Sequence, residues 1–268
     1  MAYLTSQRCN VTEALEVAAQ AGYAYVGLRL LPNGPAGVFQ PLVSEPALLR
    51  EAQRAQRNTG VGVFDLEIIR IGAEFDAATY QPLMEAGAAL EAHAVLVVGD
   101  DTDPIRLADN YARLCEALHA FGLTADLEFM PWTAVKDVRT ALRVIEQAGT
   151  PCNAGILVDA LHFGRSTTAL EDIRAIPPAL LHYAQICDAQ AGTHFSNAQL
   201  IHTARYERLH PGEGSTDLRG LFKALPDELP VSVEITHAQR EASRTPLQWA
   251  QECLSHSKAI LRNTEAPH

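Results

Sequence analysis

Short, almost wholly apolar runs alternate with longer amphipathic stretches from one end of the chain to the other. A short apolar run with no polar alternation reads as a strand covered on both faces, and apolar residues spaced three and four apart read as a helix with one buried face. Strands are expected near Ala2 to Thr5, Tyr25 to Leu30, Val61 to Ile69, Ala94 to Val98, Thr124 to Phe129, Gly155 to Asp159, His182 to Cys187 and Val231 to Ile235. Helices are expected over Val11 to Ala21, Glu45 to Thr59, Ala77 to Ala92, Pro104 to Phe121, Val135 to Ala148, Leu170 to Arg174, Leu218 to Leu225 and Pro246 to Arg262. Eight strands in strict alternation with helices predict an α/β fold, a single (β/α)8 TIM barrel, as one domain over residues 1–268.

Local signals place several boundaries. Asp103 before Pro104 and Thr245 before Pro246 put a capping side chain ahead of a proline at the first helical position. Gly22, Gly60, Gly122 and Gly149 stand where a helix ends in a left-handed residue. Pro177-Pro178 cuts the sixth unit short, and the tail from Asn263 to His268 is expected to fray. Connections from helix to strand are short, whereas Leu31 to Ser44 and Asp188 to Asp217, which leave strands, are long. Long loops at the carboxyl ends of strands build the functional face of a barrel.

Composition narrows the function. A net charge of −11 disfavours nucleic acid and anionic membranes, leaving a small-molecule substrate as the expected partner; a homo-oligomer is compatible with it. Cys9, Cys115, Cys152, Cys187 and Cys253 are odd in number and contain no Cys-x-x-Cys pair, which fits reduced thiols. No leader-like start or membrane-length apolar run is visible, so a soluble cytoplasmic protein is expected. A dinucleotide-binding glycine fingerprint, a Walker lysine and a Gly-x-Ser-x-Gly elbow are all missing.

The chemistry concentrates at strand ends. Glu128 follows Asp126-Leu127, Asp159 follows Ile156-Leu157-Val158, Gln185 lies in Ala184-Gln185-Ile186-Cys187-Asp188, and Glu234 follows Val231-Ser232-Val233. Each alone is as readily a structural cap, but a closed barrel would bring all four together. Three carboxylates and a neutral amide oxygen form a donor set for one divalent cation, Mn²⁺, Mg²⁺, Co²⁺ or Zn²⁺, with positions left for a substrate bearing adjacent oxygens. His162, three residues after Asp159, adds an imidazole for a substrate hydroxyl. Arg208 and His210, in Arg208-Leu209-His210-Pro211-Gly212-Glu213-Gly214, offer donors on a turn, and Trp132 stands ready to wall a pocket. Asp188 either orients a ligand or caps the long loop; Glu67 and Arg70 either face the pocket or, as the preferred reading, form a surface ion pair.

These segments resemble the xylose isomerase-like TIM barrels, a superfamily of sugar-phosphate isomerase/epimerase homologues, ketose 3-epimerases, hydroxypyruvate isomerase, inosose dehydratase and 3-dehydroshikimate dehydratase. The resemblance runs along nearly the whole chain and rests on Leu127-Glu128-Phe129-Met130-Pro131-Trp132, Val158 to His162, Gln185 to Ala189, His210 to Gly214 and Val233-Glu234-Ile235. It implies that Glu128, Asp159, Gln185 and Glu234 ligate one metal, with His162 and Arg208 as substrate contacts. It implies in turn a metal-dependent isomerase or epimerase of a small hydroxy-carbonyl compound, working through an enediolate with Glu128 and Glu234 as the catalytic base and acid. The alternative is a dehydratase of a cyclic hydroxyketone, because ketose 3-epimerases carry histidine at the position of Gln185 and glutamine resembles some dehydratases.

Overall fold

The computed structural model describes residues 1–34 and 37–262, so the predicted fraying of the tail from residue 263 lies outside the described residues. Seven parallel strands pair in sequence order: β1 (Tyr25–Arg29), β2 (Gly62–Ile71), β3 (Ala94–Gly99), β4 (Thr124–Glu128), β5 (Ala154–Asp159), β6 (Ala184–Ile186) and β7 (Val231–Val233). Twelve α-helices accompany them among the described residues: α1 (Tyr3–Ser6), α2 (Val11–Ala21), α3 (Pro46–Thr59), α4 (Gln81–Ala89), α5 (Pro104–His119), α6 (Val138–Gln147), α7 (Ala160–Arg165), α8 (Leu170–Arg174), α9 (Asn197–Tyr206), α10 (Leu218–Ala224), α11 (Ala238–Glu241) and α12 (Pro246–Arg262). The chain is a single-domain α/β barrel.

The expected first strand is not one: Tyr3–Ser6 is a helical turn. Only Met1 and Ala2 lie between the two edges of the sheet, Ala2 N–H donating to Val233 at 3.0 Å and Gly27 N–H donating to Met1 at 2.8 Å. The Thr5 hydroxyl completes the join by donating to the Val233 carbonyl at 2.7 Å and accepting from Ile235 N–H at 2.9 Å. A side chain thus supplies bonds that a strand would have made, and strand propensity in this segment yields to them.

Other boundaries follow their local signals. Asp103 caps α5 by accepting from Ile105 and Arg106 N–H, and Thr245 accepts from Gln248 N–H at the start of α12. Gly22, Gly60, Gly122 and Gly149 all have positive φ. The expected helix from Ala77 to Ala92 divides into a 3₁₀ turn, Ala77–Tyr80, and α4, because Asp76 caps the first piece and Pro82 fits only a helix start. The helix expected from Val135 begins at Val138, where Asp137 caps it.

Alternation along the strands divides the core in two. Ala94, Leu96 and Val98 of β3 point into the barrel with Met130, Leu157 and Tyr183, whereas Val95 and Val97 join the layer between sheet and helices. Inside the barrel, below the strand ends, the Asp126 carboxylate meets His182 Nδ1 at 2.8 Å. Gly155 makes room for this pair, since a Cβ there would lie 2.3 Å from Asp126 Oδ1 and 2.5 Å from His182 Nδ1. The bond to Asp126 raises the His182 pKa above its usual value against the effect of burial. A histidine with a raised folded pKa contributes stability that is fully present below its unfolded pKa of about 6.5 and fades as pH rises through the folded value. His182→Asn is therefore expected to cost about 1.5–3 kcal/mol at pH 6. The gap from wild type should narrow by pH 9, as read from urea midpoints, and a pH-independent gap would contradict the charged pair.

No helix among the described residues is long and apolar enough to cross a membrane.

Candidate active site

Glu128 and Asp159 end β4 and β5, Gln185 is the middle residue of the short β6, and Glu234 directly follows β7, so the four sit toward the carboxyl ends of four consecutive neighbours. Register steps them around the barrel: Glu128 pairs with Leu157, two residues before Asp159; Asp159 pairs with Gln185; and Gln185 pairs with Ser232, two residues before Glu234. All four are buried, Asp159 and Gln185 completely.

Arg208 enters this cluster from the long segment after β6. Its guanidinium sits 2.6 Å from Asp159 Oδ2 and 2.8 Å from Glu234 Oε2, with Nε donating to the Ala204 carbonyl at 2.9 Å. Gln185 Nε2 donates to Glu234 Oε1 at 3.1 Å, and Asp159 Oδ1 accepts from His162 N–H at the first turn of α7. His162 Nε2 lies 3.5 Å from Glu128 Oε1, with Trp132 edge-on to the imidazole at 5.0 Å. Six of the residues singled out in the sequence, with Trp132 as the seventh, are thus assembled together.

His210 is not among them. It packs on Trp249 and His256, with Nδ1 3.6 Å from Glu213 Oε1. Burial and the neighbouring His256 lower its pKa. It stands two positions after Arg208, yet its ring packs toward α12 rather than the strand ends. Asp188 serves the loop: its carboxylate accepts from Ala189, Gly212, Gly214 and Thr216 N–H and pins the Pro211–Gly214 turn. A Cβ on Gly214 would lie 2.3 Å from Asp188 Oδ1, so this close approach requires glycine.

Glu67 and Arg70 are not a surface pair. Glu67 is buried and bonds to Arg29 at 2.7 Å, one strand away, while Arg70 pairs with Asp100 at 2.6 Å. Glu67 Oε1 and Arg29 Nε find no hydrogen-bond partner among the described residues. Glu67 thus follows the alternative of facing inward, and Arg29 on β1 is the partner that the sequence did not point to. The signal for Glu67 was present in Asp65-Leu66-Glu67, which repeats the carboxylate spacing of Asp126-Leu127-Glu128.

Electrostatics divide the carboxyls. Burial, reinforced by Asp159, raises the Glu128 pKa well above the carboxylate range. Glu234 is also raised by burial, despite Arg208. Burial pushes Asp159 up too, but Arg208 and His162 outweigh it and hold the group at about 2. One guanidinium is shared by two carboxylates, and Asp159, which also takes the His162 amide, has the better claim on it. Burial lowers His162 to about 4, so it meets Glu128 as a neutral imidazole rather than an ion-pair partner.

Gln185 Oε1 is buried and has no hydrogen-bond partner among the described residues, while its Nε2 is engaged. An unbonded buried carbonyl costs free energy. Beside three carboxylates, only two of which pair with the Arg208 guanidinium, it fits a divalent cation. Glu128, Asp159 and His162 also offer donor atoms within 4.8 Å of one another. Segments following β5, β6 and β7 enclose a pocket of about 390 Å³ lined by Arg165, Phe195, His202, Leu209 and His237. It opens at the same end of the barrel as the strand-end cluster.

Comparison with known proteins agrees with this architecture. The xylose isomerase-like TIM barrel family model matches residues 15–258. The IolI protein, solved with a bound zinc atom, superposes with a TM-score of 0.82 at 16% identity, covering 100% of this chain and 99% of that one. A xylose isomerase domain protein from Alicyclobacillus acidocaldarius gives 0.75 at 18% identity, covering 99% and 98%. D-psicose 3-epimerase from Clostridium cellulolyticum H10, solved with D-tagatose, gives 0.74 at 13% identity, covering 97% and 98%. At these identities the likeness establishes the fold. No curated protein sequence matches the chain.

Proposed function

We propose that this chain, which belongs to the xylose isomerase-like TIM barrel family, is a divalent-metal-dependent isomerase or epimerase of a small hydroxy-carbonyl compound. The observation that carries the reading is the convergence of three carboxylates and an unpartnered amide oxygen at four adjacent strand ends. Glu128, Asp159, Gln185 and Glu234 would hold the ion, Mn²⁺, Mg²⁺, Co²⁺ or Zn²⁺. Bound there, it would supply Lewis-acid polarisation of a carbonyl and its neighbouring hydroxyl.

The chain's own residues supply the proton transfers. β5 and β6 separate β4 from β7, so Glu128 and Glu234 address a substrate from two sides. Burial raises the proton affinity of both, so one can act as base while the other stays protonated as acid. The ionised carboxylate takes the proton from the carbon beside the carbonyl, and the electron pair moves onto the carbonyl oxygen to give an enediolate. Return of a proton to the other carbon, with the neighbouring hydroxyl proton passing to the former carbonyl oxygen, isomerises the substrate; return to the opposite face of the same carbon epimerises it. Neutral His162 contacts a substrate hydroxyl, Arg208 steadies developing negative charge on oxygen, and Trp132 walls the substrate.

Gln185 favours one alternative. If the acid delivers its proton to a β-hydroxyl, that group leaves as water and the same residues act as a dehydratase of a cyclic hydroxyketone. Dehydration adds a carbon–carbon double bond conjugated with the carbonyl, and with it a new or shifted ultraviolet band, whereas ketose isomerisation adds none. Metal-loaded protein incubated with free ketoses and hydroxypyruvate is expected to form isomeric product without a new band, as read by chromatography and absorbance. A new band with 3-dehydroshikimate or inosose, and no product from the others, would replace the isomerase reading with the dehydratase.

A further inference from the structure

His210, which the barrel site does not use, belongs to a second cluster of ligating side chains. It and Glu213 stand at the two ends of the Pro211–Gly212 turn, which Glu213 N–H closes by donating to the His210 carbonyl at 3.0 Å. Asp188 holds the turn from one side, and Gly212, at φ +93, packs toward Ile260 of α12 on the other. His256 rises from α12 to stack on His210, with ring centroids 4.6 Å apart. One donor atom from each of His210, Glu213 and His256 lies within 4.8 Å of the other two. His210 is 5% exposed, and its Nε2 has no hydrogen-bond partner among the described residues. A buried imidazole nitrogen without a partner is unfavourable until something engages it.

The geometry points to a second metal site at His210, Glu213 and His256, suited to a Zn²⁺-class ion. Two imidazoles and one carboxylate, with a fourth position open to water, are the ligands of a borderline-soft divalent ion; Mg²⁺ and Ca²⁺ prefer oxygen sets such as the one in the barrel. Preorganisation comes from two rigid elements, the pinned turn and the long helix. Two features set its affinity. The rings lie with planes 20° apart, so a shared ion requires half-buried His256 to rotate about its side-chain torsions. Arg240 pairs with Glu213 and competes for the same carboxylate. An ion here would tie the turn that follows Arg208 to α12, coupling peripheral occupancy to the placement of the guanidinium in the barrel.

The test uses the full chain stripped of metal by chelation, with Co²⁺ as the probe. Cobalt held in a four-coordinate site by two imidazoles gives an intense visible band, whereas a six-coordinate oxygen site gives a weak one. Wild type should develop the intense band as Co²⁺ is added up to two equivalents, one for the barrel set and one for this cluster, and Zn²⁺ should abolish it. Glu128→Gln, which damages only the barrel set, should keep it. His256→Ala should lose it, with affinity falling about 100-fold or more, since even groups behind the ligands are worth 10- to 100-fold. His256→Gln, closer in size on a helix surface, covers the case in which the alanine variant misfolds. Arg240→Ala should tighten binding by freeing Glu213. An absent band in wild type, an unchanged band in both His256 variants, or loss of the band in Glu128→Gln would overturn the assignment. The last outcome would implicate the barrel site instead, so failure here is distinguishable from failure of the proposed function.

Discussion

Arg208→Met should destabilise the metal-free protein by about 3–5 kcal/mol at pH 7, the range found when one partner of a buried ion pair is removed. The guanidinium is 3% exposed at its side chain and neutralises Asp159 and Glu234, which have no other cation at salt-bridge distance among the described residues. Removing it leaves both in a medium that penalises charge. The pH dependence should change as well. In wild type, Arg208 and His162 depress Asp159 to about 2 against the push of burial. That group contributes stability present above its unfolded pKa of about 3.9 and lost as pH falls through the folded value. Without Arg208 burial dominates, the folded pKa rises above the unfolded one, and stability falls as pH climbs from the acid range toward neutrality. The gap between variant and wild type should therefore widen with pH between about 4 and 7, in equilibrium urea unfolding. Saturating divalent cation should restore part of the loss, about 2.7 kcal/mol at a hundredfold excess over Kd. A variant within about 1 kcal/mol of wild type at neutral pH would show that Arg208 is not the counterion of the cluster.

The convergence of Glu128, Asp159, Gln185 and Glu234 was legible because it depends only on strand order and on which residue ends each strand. Neither requires accurate loops. The residues around them were less legible in proportion to how far they travel. Arg208 arrives from the Asp188 to Asp217 segment, whose pattern predicts a loop although it contains α9. Ser196 and Gln199 form the capping box that starts this helix and could have located it. α7 was missed for a similar reason, since Asp159 is both the predicted ligand and the N-cap of the helix behind it. His210 stands two positions from Arg208 in sequence, but its ring packs on Trp249 and His256 while the Arg208 guanidinium reaches Asp159 and Glu234. The first strand misled because Ala2 to Thr5 is compatible with a strand locally, while the hydroxyl of Thr5 makes the bonds that close the sheet. Asp65 and Asp126 are not legible as site residues because a lone acid inside a strand carries no signal by itself. Read at period two, Asp126 and Glu128 lie on the same strand face, one bonded to His182 and the other at the strand end.

Glu234→Gln should lower turnover by a factor on the order of 10² or more, and by a like factor the rate at which solvent deuterium enters the carbon beside the substrate carbonyl. The substitution keeps the size of the side chain and removes the carboxyl that can gain or lose a proton. It also alters the local bonding: Glu234 Oε1 accepts from Gln185 and Oε2 faces Arg208, so an amide NH2 at this position must oppose one of two donors. Some of the loss could then come from weaker metal binding rather than from missing acid–base chemistry. Measuring metal content and turnover at saturating Mn²⁺ or Co²⁺ separates the two. If the carboxyl transfers the proton, a fully loaded variant keeps the deficit in kcat and in exchange. If it only holds the ion, added metal restores both. Glu128→Gln provides the matching test on the other side of the substrate: loss of exchange in one variant, with exchange but no turnover in the other, would identify which carboxyl removes the proton and which returns it. Normal turnover in both would remove acid–base work from the strand ends of β4 and β7, and the four donors would then hold a cation for binding alone.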